Sequence, residues 1–289
     1  MKNKTLDLLR VVIFTFLANF LFWFLMTINS EAVMRNSLFL MSTPMVTHIL
    51  TRLITRDKET VKELLLPANL SRNIKYYILS VLIPYLMLIL STIIIIAFYS
   101  DGYNIKNCLI SGHVTDFVIM IILAFGNAFF MFYTCIGEEY GWRAYLTPKL
   151  ESLMPEPLAL IISGIILGMW HASLIKDYGH NFGTGYKFFP YAGYVVMCII
   201  CIFLGAFFTW LTKKTKSIYP SAIAHTAIDS VNITDFFITQ KTIEKVTSAG
   251  QDGFNYGCLI MSGTVIVGAV FFVMLCIENK KKKSLTEQE

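Results

Sequence analysis

Long, nearly uninterrupted apolar blocks run through this 289-residue chain and constrain its fold more than any other feature. Several approach the roughly 20 residues that an α-helix needs to cross a bilayer, and they lack the apolar stripe of a helix on a water-soluble surface. The composition agrees, since 55% of the residues are hydrophobic and only 15% are charged. The sequence therefore predicts an all-α, polytopic membrane helix bundle.

Eight apolar segments are candidate membrane spans. They are Leu8–Ile28, Ser37–Ile54, Tyr76–Tyr99, Val114–Thr134, Leu158–Leu174, Pro190–Leu211, Ile218–Ile238 and Tyr256–Ile277. Polar residues dilute the second, so a re-entrant or interfacial helix is an alternative there. The longest polar stretch, Thr55–Lys75, has room for little more than one interfacial helix, so residues 1–289 are predicted to form a single membrane domain.

Basic residues are unevenly divided between the two sides of this predicted bundle. If both termini are cytoplasmic, 18 of the 24 lysines and arginines lie on the inner side. Cytoplasmic loops of membrane proteins carry such an excess of positive charge. We therefore predict about eight spans with both termini cytoplasmic, and a cytoplasmic tail over residues 278–289. The lysines lie beside the predicted spans and in the tail, where anionic membrane lipid is the expected partner. The net charge of +5 therefore says little about nucleic acid, and no nucleic-acid partner is predicted.

Three polar clusters interrupt the apolar segments between residues 114 and 238. They are Glu138-Glu139 with Arg143, then His171, then His225 with Asp229. An ionisable group at membrane depth costs from roughly 2.5 kcal/mol and is functional by default. Because lipid cannot solvate these groups, we expect them to face one another inside the bundle. Residues 114–238 are therefore the predicted catalytic core.

The first cluster divides into a structural and a chemical half. Glu139 and Arg143 are four residues apart and can pair on one helix face, whereas Glu138 is rotated by about 100° and is the candidate general base. We expect one helix of about 34 residues from Val114 to Thr147, ending at Pro148. An ion network at the inner membrane edge is the structural alternative.

The other two clusters supply imidazoles. His171 follows Gly164 and Gly168, whose spacing permits close helix approach, although a lone intramembrane histidine can also be hydrogen-bonded core. His225 and Asp229 share one helix face, where a carboxylate can orient an imidazole or both can bind a metal.

Two mechanisms fit the whole set of residues. Glu138 can activate a water while an imidazole stabilises the oxyanion formed during attack on an amide. Alternatively, Glu138, His171 and His225 can bind zinc with an open fourth position. The sequence leaves both open. Cys135, one turn before Glu138, indicates packing, with a thiol nucleophile as the alternative. His48, His113 and His180 are assigned no place in the site, and the last two are expected in outer loops.

The three motifs resemble those of the CPBP intramembrane proteases, which include CAAX proteases, Ras-converting CAAX endopeptidases, Abi-type proteins and bacteriocin-processing enzymes. Their patterns are E-E-x-x-x-R, F-x-x-x-H and H-x-x-x-N or D, and here they fall in order between residues 133 and 230. Two positions depart from the usual pattern. Leu167 stands where Phe is usual, and Asp229 where Asn is commoner, so Asp229 is expected to orient His225 or bind a metal unless it is protonated.

The resemblance implies an eight-helix membrane endopeptidase with a cavity that opens to the cytoplasm. Glu138 and His171 would activate water, His225 and Asp229 would bind the oxyanion or a metal, and Glu139 and Arg143 would support them. The implied substrate is a peptide or protein, and the expected location is the bacterial plasma membrane. A bacteriocin-immunity or scaffold protein without protease activity, and a proton-coupled transporter, are the alternatives.

Overall fold

The computed structural model describes residues 4–28, 40–58, 67–98, 127–128, 131–230 and 250–286. Within these ranges all the regular structure is helical, as predicted. The helices in chain order are α1 (Lys4–Ile28), α2 (Thr43–Thr55), α3 (Leu70–Phe98), α4 (131–141), α5 (Thr147–Leu153), α6 (Glu156–Trp170), α7 (Ala172–Tyr178), α8 (Tyr191–Thr215), α9 (Tyr219–Ser230), α10 (Gln251–Ile260) and α11 (Ser262–Thr286). A π turn, Trp142–Leu146, joins α4 to α5.

Five described segments are long and apolar enough to cross a membrane. They are α1, α3, α6 with α7, α8, and most of α11, which correspond to the first, third, fifth, sixth and eighth predicted spans. Their outer faces carry large apolar side chains such as Phe16, which is 64% exposed, and Ile93, which is 59% exposed. Lipid stabilises a surface of this kind, whereas water does not.

The count of eight spans is not confirmed. Helix α2 has 13 residues, so at 1.5 Å per residue it is about 20 Å long and too short for a hydrocarbon core of roughly 30 Å. This length agrees with the alternative of a re-entrant or interfacial helix in the segment Ser37–Ile54. Most of Val114–Thr134, the second half of Ile218–Ile238 and His113 lie outside the described residues.

The helix that carries the first motif does not end at Pro148, contrary to the prediction. The N–H of Thr147 donates to the carbonyl of Trp142, five residues earlier, and α5 then continues to Leu153. A proline lacks an N–H and its ring displaces the carbonyl four residues before it. The wider π turn accommodates both effects, so the chain remains helical across the proline.

Helix α8 packs against α6, α9 and α11. The contact with α6 depends on the two glycines of the second motif region. A Cβ added to Gly164 would lie 2.5 Å from the Cα of Ile202, and one added to Gly168 would lie 2.6 Å from the Cα of Cys198. The prediction that these glycines permit close helix approach is confirmed.

Ionic contacts hold several helix ends together at one end of the bundle, which we call the basic end. Arg10 and Lys149 contact Asp57 at 3.2 and 3.0 Å, which joins the start of α1, the residues after α2, and α5. Lys213 and Lys214, near the end of α8, contact Glu156 at the start of α6 and Glu278 in α11.

Candidate active site

A cavity of about 490 Å³ lies among the helices that carry the three motifs. Five of the six predicted site residues line it: Glu138, Arg143, His171, His225 and Asp229. The rest of the wall is largely apolar, with contributions from α1, α6, α8, α9 and α11. Glu138 and His171 thus border one cavity although they lie in different predicted spans.

Glu139, the sixth residue, lies behind the cavity wall and is fully buried. Its Oε2 is 3.3 Å from the Nε of Arg143, so the predicted i, i+4 pair is present. Its Oε1 is 3.0 Å from the Nδ1 of His225, a contact that sequence reasoning missed. Because adjacent residues on a helix point about 100° apart, Glu139 binds other side chains while Glu138 borders the cavity.

His225 lies between two carboxylates. In addition to Glu139 on Nδ1, the Oδ2 of Asp229 is 3.3 Å from Nε2. Both ring nitrogens carry a hydrogen only in the imidazolium form, so hydrogen bonds to both acids favour the charged ring. Phe208 lies beside this group, with its ring centroid 5.3 Å from that of His225 and 5.4 Å from the guanidinium carbon of Arg143.

His171 stands at the junction of α6 and α7, where its ring is fixed on several sides. Its Nδ1 is 2.9 Å from the carbonyl of Leu167, and because a carbonyl only accepts, Nδ1 carries the hydrogen. In the neutral ring Nε2 then keeps its lone pair. Trp170 packs edge-on against the imidazole, with centroids 4.8 Å apart.

His180 also lines the cavity, although the sequence analysis assigned it no place in the site. Its ring is nearly parallel to that of His171, with centroids 5.8 Å apart and planes at 13°. Helix α7 ends at Gly179, whose φ of 64° reverses the chain, and the N–H of His180 donates to the carbonyl of Leu174. Burial lowers the pKa of His180, although the charge of Asp229 opposes this shift.

The sequence signal for the position of His180 near His171 was the short separation in sequence between His171 and Gly179. A glycine eight residues after a motif histidine indicates a short helix with a left-handed end. The residue that follows can then turn back toward the histidine, although the ring contact itself depends on how α7 packs.

His48 lies outside the cavity but supports the helix that carries Glu138. It is fully buried in α2, and its ring packs against Tyr140 and Tyr145 with centroids 4.5 and 4.3 Å apart. Its Nδ1 donates to the carbonyl of Tyr140 at 3.2 Å. Gly141 allows this approach, since a Cβ there would lie 2.5 Å from the Cβ of Pro44.

The described residues form a different group of metal-ligand atoms from the predicted one. Ligand atoms of Cys135, His225 and Asp229 all lie within 4.8 Å of one another, whereas Glu138 and His171 do not belong to this group. Thiolate, imidazole and carboxylate are the ligands that zinc prefers. Glu139 on Nδ1 of His225 resembles the outer carboxylate that orients a metal-binding histidine. The donor set therefore fits zinc.

Comparison with protein families supports the resemblance seen in the motifs. Residues 117–231 match the family described as type II CAAX prenyl endopeptidase Rce1-like. The matched region contains all three motifs but covers less than half of the chain. Comparison with curated proteins gives no match. This part of the chain is therefore similar to the Rce1-like CAAX endopeptidase family, and the match confirms the CAAX-protease resemblance predicted from the motifs of Glu138, His171 and His225.

Proposed function

We propose that this chain is an intramembrane endopeptidase in which Glu138 and His171 activate the water that hydrolyses a peptide bond. The observation that carries this proposal is the common cavity: a carboxylate and two imidazoles on three separate helical segments border one space inside an otherwise apolar bundle. Burial of so many ionisable groups costs folding free energy, so their presence at membrane depth indicates a function. The family match supports the same class of reaction.

Glu138 acts as the base in this mechanism. Its carboxylate takes a proton from the water as the water oxygen attacks the carbonyl carbon of the substrate. Nε2 of His171 accepts the second hydrogen of that water and so orients it. When the tetrahedral intermediate collapses, the C–N bond breaks and Glu138 returns its proton to the leaving amine.

His225 and Arg143 stabilise the negative charge on the attacked oxygen. The contact of 3.3 Å between Nε2 and Asp229 is long for a charge-assisted bond, so that N–H can turn to a developing oxyanion. Arg143 adds positive charge at the same wall. Asp229 serves to orient His225 in this scheme, since an ionised carboxylate cannot donate to an oxyanion as the commoner Asn does.

Cys135, His225 and Asp229 would hold a divalent cation such as zinc if the enzyme uses one. When bound, such an ion polarises a carbonyl or lowers the pKa of a bound water. Cobalt(II) tests this assignment without an activity assay, because thiolate ligation gives a charge-transfer absorption. We expect that absorption in the wild type and in Cys201→Ser, and its loss in Cys135→Ser. Cys201 is the matched control because it is buried, as Cys135 is, and lies in the wall of the cavity that His225 and Asp229 also line.

The proposed function is tested with the purified chain in lipid vesicles and a library of internally quenched apolar peptides. We expect Glu138→Gln to lower the rate of peptide cleavage by about 10²–10⁴-fold, the usual contribution of a general base. Glu151→Gln is the control, because Glu151 pairs with Lys213 at the basic end, away from the cavity. Thermal unfolding of both variants shows whether they are folded.

Full cleavage activity in folded Glu138→Gln would refute the proposed role of Glu138. If the wild type cleaves no peptide but protects cells against a bacteriocin, and Glu138→Gln protects equally well, the immunity or scaffold alternative is favoured. Proton-coupled uptake that depends on Glu138 and Asp229 would favour the transporter alternative.

A further inference from the structure

The cavity has a buried end and an exposed end. Arg143 and Glu138 are each only 3% exposed. The side chain of Asp229 is 33% exposed, and Asn181, which lines the cavity beside His180, is exposed. The cavity wall is therefore open to its surroundings near Asn181 and Asp229 and buried near Glu138 and Arg143.

The exposed end of the cavity lies away from the basic end of the bundle. Asp229 is in the last described turn of α9, and Asn181 follows α7. Met261, at the junction of α10 and α11, lines the same region. Helices α9 and α11 have their other ends at the basic end, and so does α6, which adjoins α7. His171 is 15 residues beyond Glu156, a rise of about 22 Å.

Packed side chains fill the space between the cavity and the basic end. The guanidinium of Arg143 lies over the ring of Phe208. Beyond them Leu146, Leu150 and Leu211 are at most 1% exposed. Among the described residues, these side chains close the route from the basic end to Glu138.

The described basic residues show which side of the membrane each end faces. Those at the basic end are Lys4, Arg10, Arg52, Arg56, Lys58, Arg72, Lys75, Lys149, Lys213, Lys214, Lys216, Lys280 and Lys281. The start of α3 belongs to this end because Asn69 and Asn73 donate to the carbonyl of Thr215 at the end of α8. Lys176 and Lys187 are the described basic residues at the opposite end. Such a bias places the basic end in the cytoplasm.

We infer that the cavity is entered from the extracytoplasmic side, and that the substrate is the extracytoplasmic part of a membrane-bound peptide or protein. This inference rests on the proposed function for the cleavage step, but the side of access is independent of it. A prenylated C-terminal tail in the cytoplasm would meet the closed end of the bundle. The cytoplasmic opening implied by the family resemblance is therefore not the one that this packing favours.

Labelling of introduced cysteines in intact cells with a membrane-impermeant maleimide tests the side of access. We expect Asn181→Cys to be labelled in intact cells, and Lys58→Cys only after the membrane is opened. Both positions are exposed, and Lys58 lies at the basic end. Mass spectrometry of the labelled peptide separates the new cysteine from the six native ones.

A second cysteine variant at the exposed end of the cavity keeps the test decisive if Asn181→Cys misfolds. Asn181 has a φ of 64°, a left-handed backbone conformation that is strained for a cysteine. Met261→Cys has an ordinary backbone, lines the same cavity and is expected to be labelled from the same side. The inference would be overturned if Asn181→Cys and Met261→Cys are both labelled only after the membrane is opened. It would also be overturned if Lys58→Cys is labelled in intact cells.

Cleavage by the labelled protein connects the side of access with the substrate. We expect the maleimide added to intact cells to abolish cleavage by Asn181→Cys but not by Lys187→Cys, which is exposed on the same loop but is not part of the cavity wall. Unchanged cleavage by labelled Asn181→Cys would contradict entry past this residue. Labelling also works in Glu138→Gln, so the inference and the proposed function can fail separately.

Discussion

Glu139 links two of the three motifs at the residue scale. One carboxylate oxygen contacts Arg143 of its own helical segment, and the other contacts His225 of α9. Removal of one member of a buried ion pair leaves a charge without compensation, and this costs more than the pair itself contributes. The contacts of Glu139 with Arg143 and His225 agree with its predicted support role, although its effect on catalysis remains a prediction.

We expect Glu139→Gln to lower the free energy of unfolding by about 3–5 kcal/mol, the range for a broken buried ion pair. Thermal or denaturant unfolding in detergent measures this loss. The matched control is Glu151→Gln, since Glu151 pairs with Lys213 and their side chains are 23% and 29% exposed. The expected loss of unfolding free energy in this control is about 0–1 kcal/mol. Equal losses in the two variants would contradict the structural role of Glu139.

We expect His180→Ala to lower kcat by up to about 10²-fold, because the ring of His171 loses a neighbour that holds its orientation. His180→Phe keeps a flat ring and is expected to restore most of kcat, while KM changes little in both variants. Steady-state cleavage rates measure both effects. If Phe is as poor as Ala, the imidazole of His180 acts through its nitrogens and not through ring packing.

Burial of His180 also predicts a pH dependence of stability. Its pKa is lowered below the ordinary 6.5, so the unfolded chain binds a proton that the native protein does not. Stability is therefore complete above about pH 6.5 and declines as the pH falls from there toward the lowered pKa. Unfolding curves across this range should show a smaller decline in His180→Phe, and an unchanged decline would contradict the prediction.

At the scale of single elements, close contact between α6 and α8 depends on two small residues. Gly164 and Gly168 leave no room for a side chain against the backbone of α8. The spacing of small residues predicted this contact. The π turn before Pro148 and the break between α6 and α7 at His171 were not predicted. The same backbone groups could form their hydrogen bonds in other local arrangements, and the packing of the helices decides between them.

We expect Gly168→Ala to lower the free energy of unfolding by about 1–3 kcal/mol, because the added Cβ overpacks the contact with Cys198. Ile165→Phe is the control on the outer face of the same helix, where Ile165 is 43% exposed and extra volume meets no helix. Its expected effect is within about 0.5 kcal/mol. Unfolding in detergent compares the two, and a larger loss in Ile165→Phe would contradict the packing argument.

At the scale of the whole molecule, the basic end is held by a buried charge network. Asp57 contacts both Arg10 and Lys149, and Asp7 contacts Arg10 at 2.9 Å. The hydroxyl of Ser152 also donates to Asp7 at 2.8 Å. These side chains join three parts of the chain that are far apart in sequence, so they bring the N-terminal helix against the segment after the first motif.

We expect Asp57→Asn to lower the free energy of unfolding by about 1.5–3 kcal/mol, the range for hydrogen bonds to charged groups. Added salt should change this loss little, because the side chain of Asp57 is only 5% exposed. Glu278→Gln is the control, since Glu278 and Lys214 have side chains 38% and 32% exposed. Its loss should be about 0–1 kcal/mol and should shrink with salt. A salt-sensitive loss in Asp57→Asn would contradict burial of the network.

The order of amino acids alone was enough to predict an all-helical membrane protein, the three motifs and their family, because apolar length and the cost of intramembrane charge are local properties. Only the tertiary structure brought His180 to His171 and Glu139 to His225, and only it separated the buried end of the cavity from the exposed end. These features depend on how helices pack across long loops, and the apolar faces of the helices permit many packings that the pattern of residues does not distinguish.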